Sequence, residues 1–410
     1  QKMRLRNNKF EGLRKCGVKM DTKQAIIDSV KNNLGQYMEI VQSLYDHPEI
    51  GNEEFESMKL LVHYLNQAGF ETEAGYVVPT GFLGTYDTKK PGPTIAFMCE
   101  YDALPEIGHG CGHNLIAAIG VAAGEALKEV IDLYGGKVLV VGTPAEENFG
   151  GKVSMAEAGV FDEVDVALMV HPGNENGVGA RSSALMPLKF EFFGKTAHAA
   201  SPYEGISALD AAVMSFVQIN LLRQYIKPHT SIHGIIKDGG EAANVIPDYA
   251  SLEYYFRAPT MSYAKEVSKK ATEIVKGISQ ANGTRVEVSE YECPYEDTVI
   301  NYKLADLLFE KYQALGVEEI RPVNEVAAGS TDVGAVSYKC PTIQGNIKIV
   351  QKPIGVHTKE LADATISKEG EKGLVNAATG IALVALDLLE HPKLLEEVKA
   401  EQKETLAKLS

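Results

Sequence analysis

At 410 residues the chain is too long for one ordinary core, and at ~150 residues per domain it divides into two or three. Apolar residues at 45%, charged residues at 23%, and 38 Gly with 17 Pro are the values of a folded globular chain and exclude disorder, collagen and coiled coil. The net charge of −15 repels phosphate, which removes nucleic acid and anionic lipid as partners.

Residues 1–19 hold seven basic residues and one acid, Glu11, with no apolar block behind them, so they read as an extension or an added leader before Met20 and not as a secretory signal. From there Ile26, Ile27, Val30, Leu34, Met38, Val41 and Leu44 recur at helical spacing as far as His47-Pro48. A second helix spans about Glu53 to Gln67 and ends at Gly69, as a C-cap glycine would end it. β-type runs follow at 81–86, 94–99, 137–142 and 164–170, with a helix from Leu115 to about Val130. The last three runs are nearly continuous apolar stretches, the pattern of strands buried on both faces of an α/β sheet. No stretch approaches the ~18 consecutive apolar residues of a membrane span.

The middle of the chain changes period. Pro187 to Phe193 alternates apolar and polar, followed by a helix from about Ile206 to Tyr225, strands at 230–236 and 250–257, a helix from Tyr263 to Asn282 and a strand at 285–291. This β-α-β-β-α-β order predicts a ferredoxin-like module over 187–293. After Pro294 the α/β pattern resumes with helices at 303–315 and 374–390, a short strand near 342–344 and a charged helix at 393–408. The expected organisation is one catalytic domain, 20–186 and 294–410, interrupted by the module. Five cysteines at irregular spacing in a long chain predict reduced thiols and a cytoplasmic setting.

The segment from Cys99 to Asn114 lies between a buried strand and a helix, where α/β sheets form ligand sites. Cys111 and His113 flank a single glycine, so both side chains can turn to one point, and thiolate with imidazole suits a borderline-soft ion such as zinc. The same dipeptide would also fit a Gly-rich turn with a buried Cys and a surface His. Glu146-Glu147 and His171 stand at the carboxyl ends of the next two buried strands. Adjacent carboxylates repel unless a cation or a proton intervenes. One as ligand and the other as proton acceptor is the division of labour of metal-assisted hydrolysis. His357, in a Gly-flanked loop, could supply a further ligand or be plain surface.

The segments Glu100-Tyr-Asp-Ala-Leu-Pro105, Gly108-His-Gly-Cys-Gly-His-Asn114, Pro144-Ala-Glu-Glu147, Gly194-Lys-Thr-Ala-His-Ala-Ala200, Asn244-Val-Ile-Pro247 and Ser330-Thr-Asp-Val-Gly334 occur in that order. Together they resemble the M20 metallopeptidase and amidohydrolase family, in the branch of aminobenzoyl-glutamate hydrolases, aminoacylase-like dipeptidases and plant auxin-conjugate hydrolases. The resemblance covers about Ile26 to Glu390. It implies a mixed-sheet α/β catalytic domain with an inserted α+β lid and dimerisation domain. It further implies one or two divalent ions, zinc first and manganese second, with Cys111 bridging and His113, Glu147, His171 and His357 completing the shell. Glu146 would be the general base, and Asp102 would orient a ligand or the base. His198 would cross an oligomer interface, dimer or tetramer, to stabilise the oxyanion. Asn244 and Arg257 would bind a substrate carboxylate, and Asp332 would line the site or cap a helix. Asn114 and Ile116 depart from the Asp and His common among auxin-conjugate hydrolases, and the 330–334 segment leans to the aminobenzoyl-glutamate and dipeptidase group. The expected substrate is a small N-acyl amino acid, dipeptide or aminobenzoyl-glutamate-type amide; longer peptides, or metal or peptide binding without turnover, are the alternatives.

Overall fold

A computed structural model describes residues 21–327 and 329–409, so the expected leader lies outside the described residues. In chain order the strands are β1 (Glu71–Ala74), β2 (Phe82–Asp87), β3 (Thr94–Cys99), β4 (Lys137–Gly142), β5 (Val166–Gly173), β6 (Asn176–Gly177), β7 (Ala184–Phe193), β8 (Ala197–His198), β9 (Ser231–Asp238), β10 (Val245–Ile246), β11 (Tyr249–Ala258), β12 (Arg285–Ser289), β13 (Ile320–Arg321) and β14 (Thr342–Lys348). The large sheet has eight strands in the order β1-β2-β4-β3-β5-β14-β6-β13. Its centre, β4-β3-β5-β14, is parallel, while β2 runs antiparallel to β4 and β6 antiparallel to β14. All four parallel strands therefore present their carboxyl ends on one side, and β4, β3 and β5 are neighbours there.

The helix His113–Ile131 is buried along nearly its whole length against the sheet. Its composition explains how closely it lies: a Cβ on Gly120 would stand 2.4 Å from Cys99 Sγ. Lys368–Glu390 packs against it and reaches β5 and β14 as well. Lys368–Glu390 alone among the described residues is long and apolar enough to cross a membrane, and it is instead packed inside the core. The first predicted helix is in fact two, Thr22–Asn32 and Leu34–Asp46. The break at Asn33, with its side chain bonded to Glu125, lets both halves lie against His113–Ile131.

Residues 184–289 form a second sheet, β12-β7-β11-β9, entirely antiparallel. Numbered within this unit the order is fourth, first, third, second, the ferredoxin-like arrangement. Helices Ala208–Leu222 and Met261–Asn282 cover one face, onto which Phe190, Phe192, Leu252, Tyr254 and Phe256 point as a separate core. The alternate residues Lys189, Glu191, Glu253, Tyr255 and Arg257 occupy the open face. The chain leaves and re-enters the large domain side by side, because Leu185 and Tyr295 exchange backbone hydrogen bonds of 2.8 and 3.0 Å.

Candidate active site

Each strand end contributes through a specific turn. After β3 the chain passes Asp102 and reaches Gly112, whose φ of +84° and whose place 2.6 Å from Pro172 Cγ, measured to an added Cβ, admit only glycine. That turn sets Cys111 beside His171 and starts the long helix at His113, two residues earlier than its apolar periodicity suggests. After β4, Ala145 takes a left-handed φ of +60° and Glu146 and Glu147 follow. His171 lies near the end of β5. His357, also left-handed at +58°, docks by donating its backbone N–H to Gly110 O at 3.0 Å.

Cys111, His113, Glu147, His171 and His357 converge. Cys111 Sγ is 3.6 Å from His171 Nε2, and Glu147 Oε1 is 3.4 Å from His357 Nε2 and 3.9 Å from His113 Nε2. Potential ligand atoms of Cys111, His113 and His171 lie within 4.8 Å of one another, as do those of Cys111, Glu147 and His357, and those of His113, Glu146 and Glu147. Both inner histidines are oriented from behind. His113 Nδ1 bonds Asp102 Oδ1 at 2.9 Å, and His171 Nδ1 donates to Pro172 O at 2.8 Å, which leaves both Nε2 atoms facing inward. His113 Nε2 and Glu147 Oε1 are buried without a hydrogen-bond partner. Buried polar atoms are rarely left so, and a soft, N- and O-donor set around a shared centre fits a divalent ion.

Burial is the largest influence on the titration of three acids around this centre, Glu146, Cys111 and Asp102. Burial raises the Glu146 carboxyl well above the carboxylate range, with Glu100 and Asp332 adding to it. Burial also pushes the Cys111 thiol up to about 12. At Asp102 burial raises the pKa, but the His113 charge, its hydrogen bond and the Glu147 N–H outweigh it and hold the carboxyl at about 2.

Beneath Glu146 lies a polar floor that sequence reasoning missed. Lys152 Nζ, fully buried, bonds Glu100 Oε1 at 2.5 Å and Asp332 Oδ1 at 2.7 Å, and its backbone N–H donates to Asp332 Oδ2 at 3.0 Å. This corrects one expectation for Asp332: fully buried and engaged through both oxygens by Lys152, it is not a side-chain helix cap, and a carboxylate oxygen of it lies within 4.8 Å of those of Glu100 and Glu146. No local pattern announces a lysine that neutralises carboxylates 52 and 180 residues away.

His198 and Asn244 are exposed, and the short pair β8 and β10 joins them, with Ala199 N–H donating to Asn244 O at 2.9 Å. Ala200 N–H donates to His198 Nδ1 at 3.0 Å, so the neutral ring carries its proton on Nε2, facing away from its own loop. Arg257, half-buried on the open sheet face, donates to Ser330 Oγ at 2.7 Å and lies over the Tyr255 ring.

A cluster of nitrogen, sulfur and carboxylate donors at strand ends, with a further carboxylate beside it, defines a metal-site hydrolase. The model of Peptidase family M20/M25/M40 matches residues 96–363, and the chain belongs to that family. It is 35% identical over 397 residues to the Xaa-Arg dipeptidase of Homo sapiens, covering 92% of this chain and 90% of that one. It is 29% identical to one component of the p-aminobenzoyl-glutamate hydrolase of Escherichia coli strain K12, covering 92% of this chain and 94% of the relative. A solved dinuclear metal-binding peptidase of family M20 from Bacillus subtilis superposes with a TM-score of 0.67 at 20% identity, over 88% of this chain and 99% of that one. The chain is thus a hydrolase of amide bonds, and its site is built to hold a metal.

Proposed function

We propose that Cys111, His113, Glu147, His171 and His357 hold one or two divalent ions, zinc or manganese, and that Glu146 is the general base in hydrolysis of a dipeptide or N-acyl amino acid. The observation that carries this reading is the pair of orphaned buried atoms, His113 Nε2 and Glu147 Oε1, beside a carboxylate whose pKa is raised. When bound, the ion supplies Lewis-acid polarisation of the scissile carbonyl and acidifies a water. Glu146 takes the proton of the attacking water and passes it to the departing amine. Asp102 keeps His113 and the Glu147 backbone in place, and Glu100, Lys152 and Asp332 form the floor under Glu146.

His198 completes the site from a second copy of the chain by donating Nε2–H to the developing oxyanion. Its exposure and its tautomer support this, as does an apolar face nearby in sequence. Met214, Val217 and Leu221 are 54%, 49% and 56% exposed along one helix, and Ile235 is 55% exposed on the edge strand β9. Unpaired edges and contiguous apolar faces are the features that homo-oligomers cover. Asn244 and Arg257 bind the carboxylate of the substrate's amino-acid portion. The names of the two relatives direct the substrate choice to dipeptides ending in Arg and to aminobenzoyl-glutamate. The free thiols of Cys99, Cys111, Cys293 and Cys340 support a cytoplasmic, reducing location.

The test is metal content together with hydrolysis of Xaa-Arg dipeptides, N-acetyl amino acids and aminobenzoyl-glutamate by the native protein and Glu146→Gln. The variant should keep its metal and lose turnover by roughly 10²- to 10⁴-fold. Native turnover in the variant, or no metal in the native protein, rejects the assignment.

A further inference from the structure

Three consecutive residues of the turn bearing Glu146 each have a backbone group held by a side chain from a different part of the fold. Ala145 N–H donates to Glu54 Oε1 at 2.8 Å, Tyr295 O–H donates to Glu146 O at 2.6 Å, and Glu147 N–H donates to Asp102 Oδ2 at 3.0 Å. The turn needs such restraint because Ala145 sits at φ +60°, a conformation that a residue with a Cβ holds only when its surroundings over-determine it. Asp102 is already accounted for by His113. Glu54 and Tyr295 are not used by the proposed chemistry at all.

Glu54 stands at the start of the helix Phe55–Gln67, fully buried, and its other oxygen has no partner. A carboxyl in that position is expensive to bury, and an apolar side chain would suit the surroundings better unless the acceptor is needed. Tyr295 sits where the chain returns from the small domain, its backbone paired in both directions with Leu185 on the outgoing crossing. A single hydroxyl therefore ties the junction of the two domains to the carbonyl of Glu146.

We propose that Glu54 and Tyr295 are positioning residues that hold the Glu146 turn in its working shape, Glu54 from the large domain and Tyr295 from the domain crossing. This rests on the reading of Glu146 as the base. What Glu54 supplies is an acceptor oxygen, so glutamine replaces it and leucine does not. Burial pushes the Glu54 carboxyl up to about 7, in keeping with a group valued for its oxygen more than its charge.

The test uses the full chain loaded with zinc and the best substrate of the panel above. Tyr295→Phe and Glu54→Leu should each lower kcat by about 10- to 100-fold, the scale of a small misplacement of a reacting group. KM and metal per chain should stay within about threefold of native, and Glu54→Gln should keep native kcat to the same margin. In the chelated protein, hydrogen exchange at the Ala145 amide should quicken at least tenfold in Glu54→Leu and stay slow in Glu54→Gln, on the ordinary logic of local opening. Native kcat in both Tyr295→Phe and Glu54→Leu overturns the proposal. So does a loss that merely follows metal content or folded fraction. Glu54→Gln as impaired as Glu54→Leu removes the Glu54 half. Should Glu54→Leu fail to fold, Tyr295→Phe and Glu54→Gln still decide. Failure of the underlying reading looks different: Glu146→Gln would then turn over at the native rate whatever the other variants do.

Discussion

The strand ends of the large sheet and the β8–β10 corner of the small domain are built on opposite plans. At the strand ends, His113, Asp102, Glu100, Lys152 and Asp332 are buried, and each is hydrogen-bonded or ion-paired to another of the group. At the corner, His198 and Asn244 are exposed, and two residues of strand on each side hold them. A site assembled within one chain can hide its polar groups among their partners, because the fold supplies those partners. A side chain left in water has no such partners within the chain, and it is fixed only by its local backbone.

That contrast can be broken by experiment. The largest effect should come from Lys152→Met, which strips the buried Glu100 and Asp332 carboxyls of the ammonium they share and should cost about 3–5 kcal/mol in urea unfolding. A loss below about 1 kcal/mol would mean the floor is hydrated and not truly buried. His198→Ala should behave in the reverse manner, leaving unfolding and metal content unchanged while kcat falls about 10²- to 10³-fold, the scale of one lost oxyanion donor. A changed melting temperature with unchanged kcat would return His198 to a structural role. Chelation should act on the strand ends alone, lowering the unfolding free energy by about 3–4 kcal/mol at metal concentrations of roughly 100- to 1,000-fold Kd. Hydrogen exchange should quicken at 99–113 and 142–148 but not in β7 or β11.

The smallest effect is a pH dependence. Glu54 is raised by burial from 4.5 to about 7, so the folded state holds its proton more tightly than the unfolded chain does. Its contribution is fully present below about pH 4.5 and is lost as pH rises to about 7, by at most about 3 kcal/mol. Urea unfolding of the native protein against Glu54→Gln across that window should show the native curve falling more steeply. Parallel curves would place the Glu54 carboxyl in contact with water.

Much of this architecture was legible in advance because periodicity reports burial. The continuous apolar runs at 94–99, 137–142 and 164–170 are the central parallel strands, and the alternating run from Pro187 is the half-covered β7. The polar edge strand β1 and the two-residue strands β6 and β13 left no such trace, since an edge or a short bridge buries too little to shape composition. The segments whose metal-competent side chains converge were legible for a different reason. Cys-Gly-His and Glu-Glu place costly groups side by side, and such pairings call for a shared chemical purpose.

The sequence by itself therefore determined the α/β frame and the ferredoxin-like module, which are written in local spacing, and the family, which is carried by the ordered segments from Glu100 to Gly334. Only the tertiary structure decided what supports the candidate site. Lys152 meets Glu100 and Asp332 across 52 and 180 positions, Tyr295 reaches Glu146 across 149, and Glu54 reaches Ala145 across 91. Their meeting depends on how the sheet, the helices and the domain crossing pack together, and pairings at that range leave no period in the chain to read.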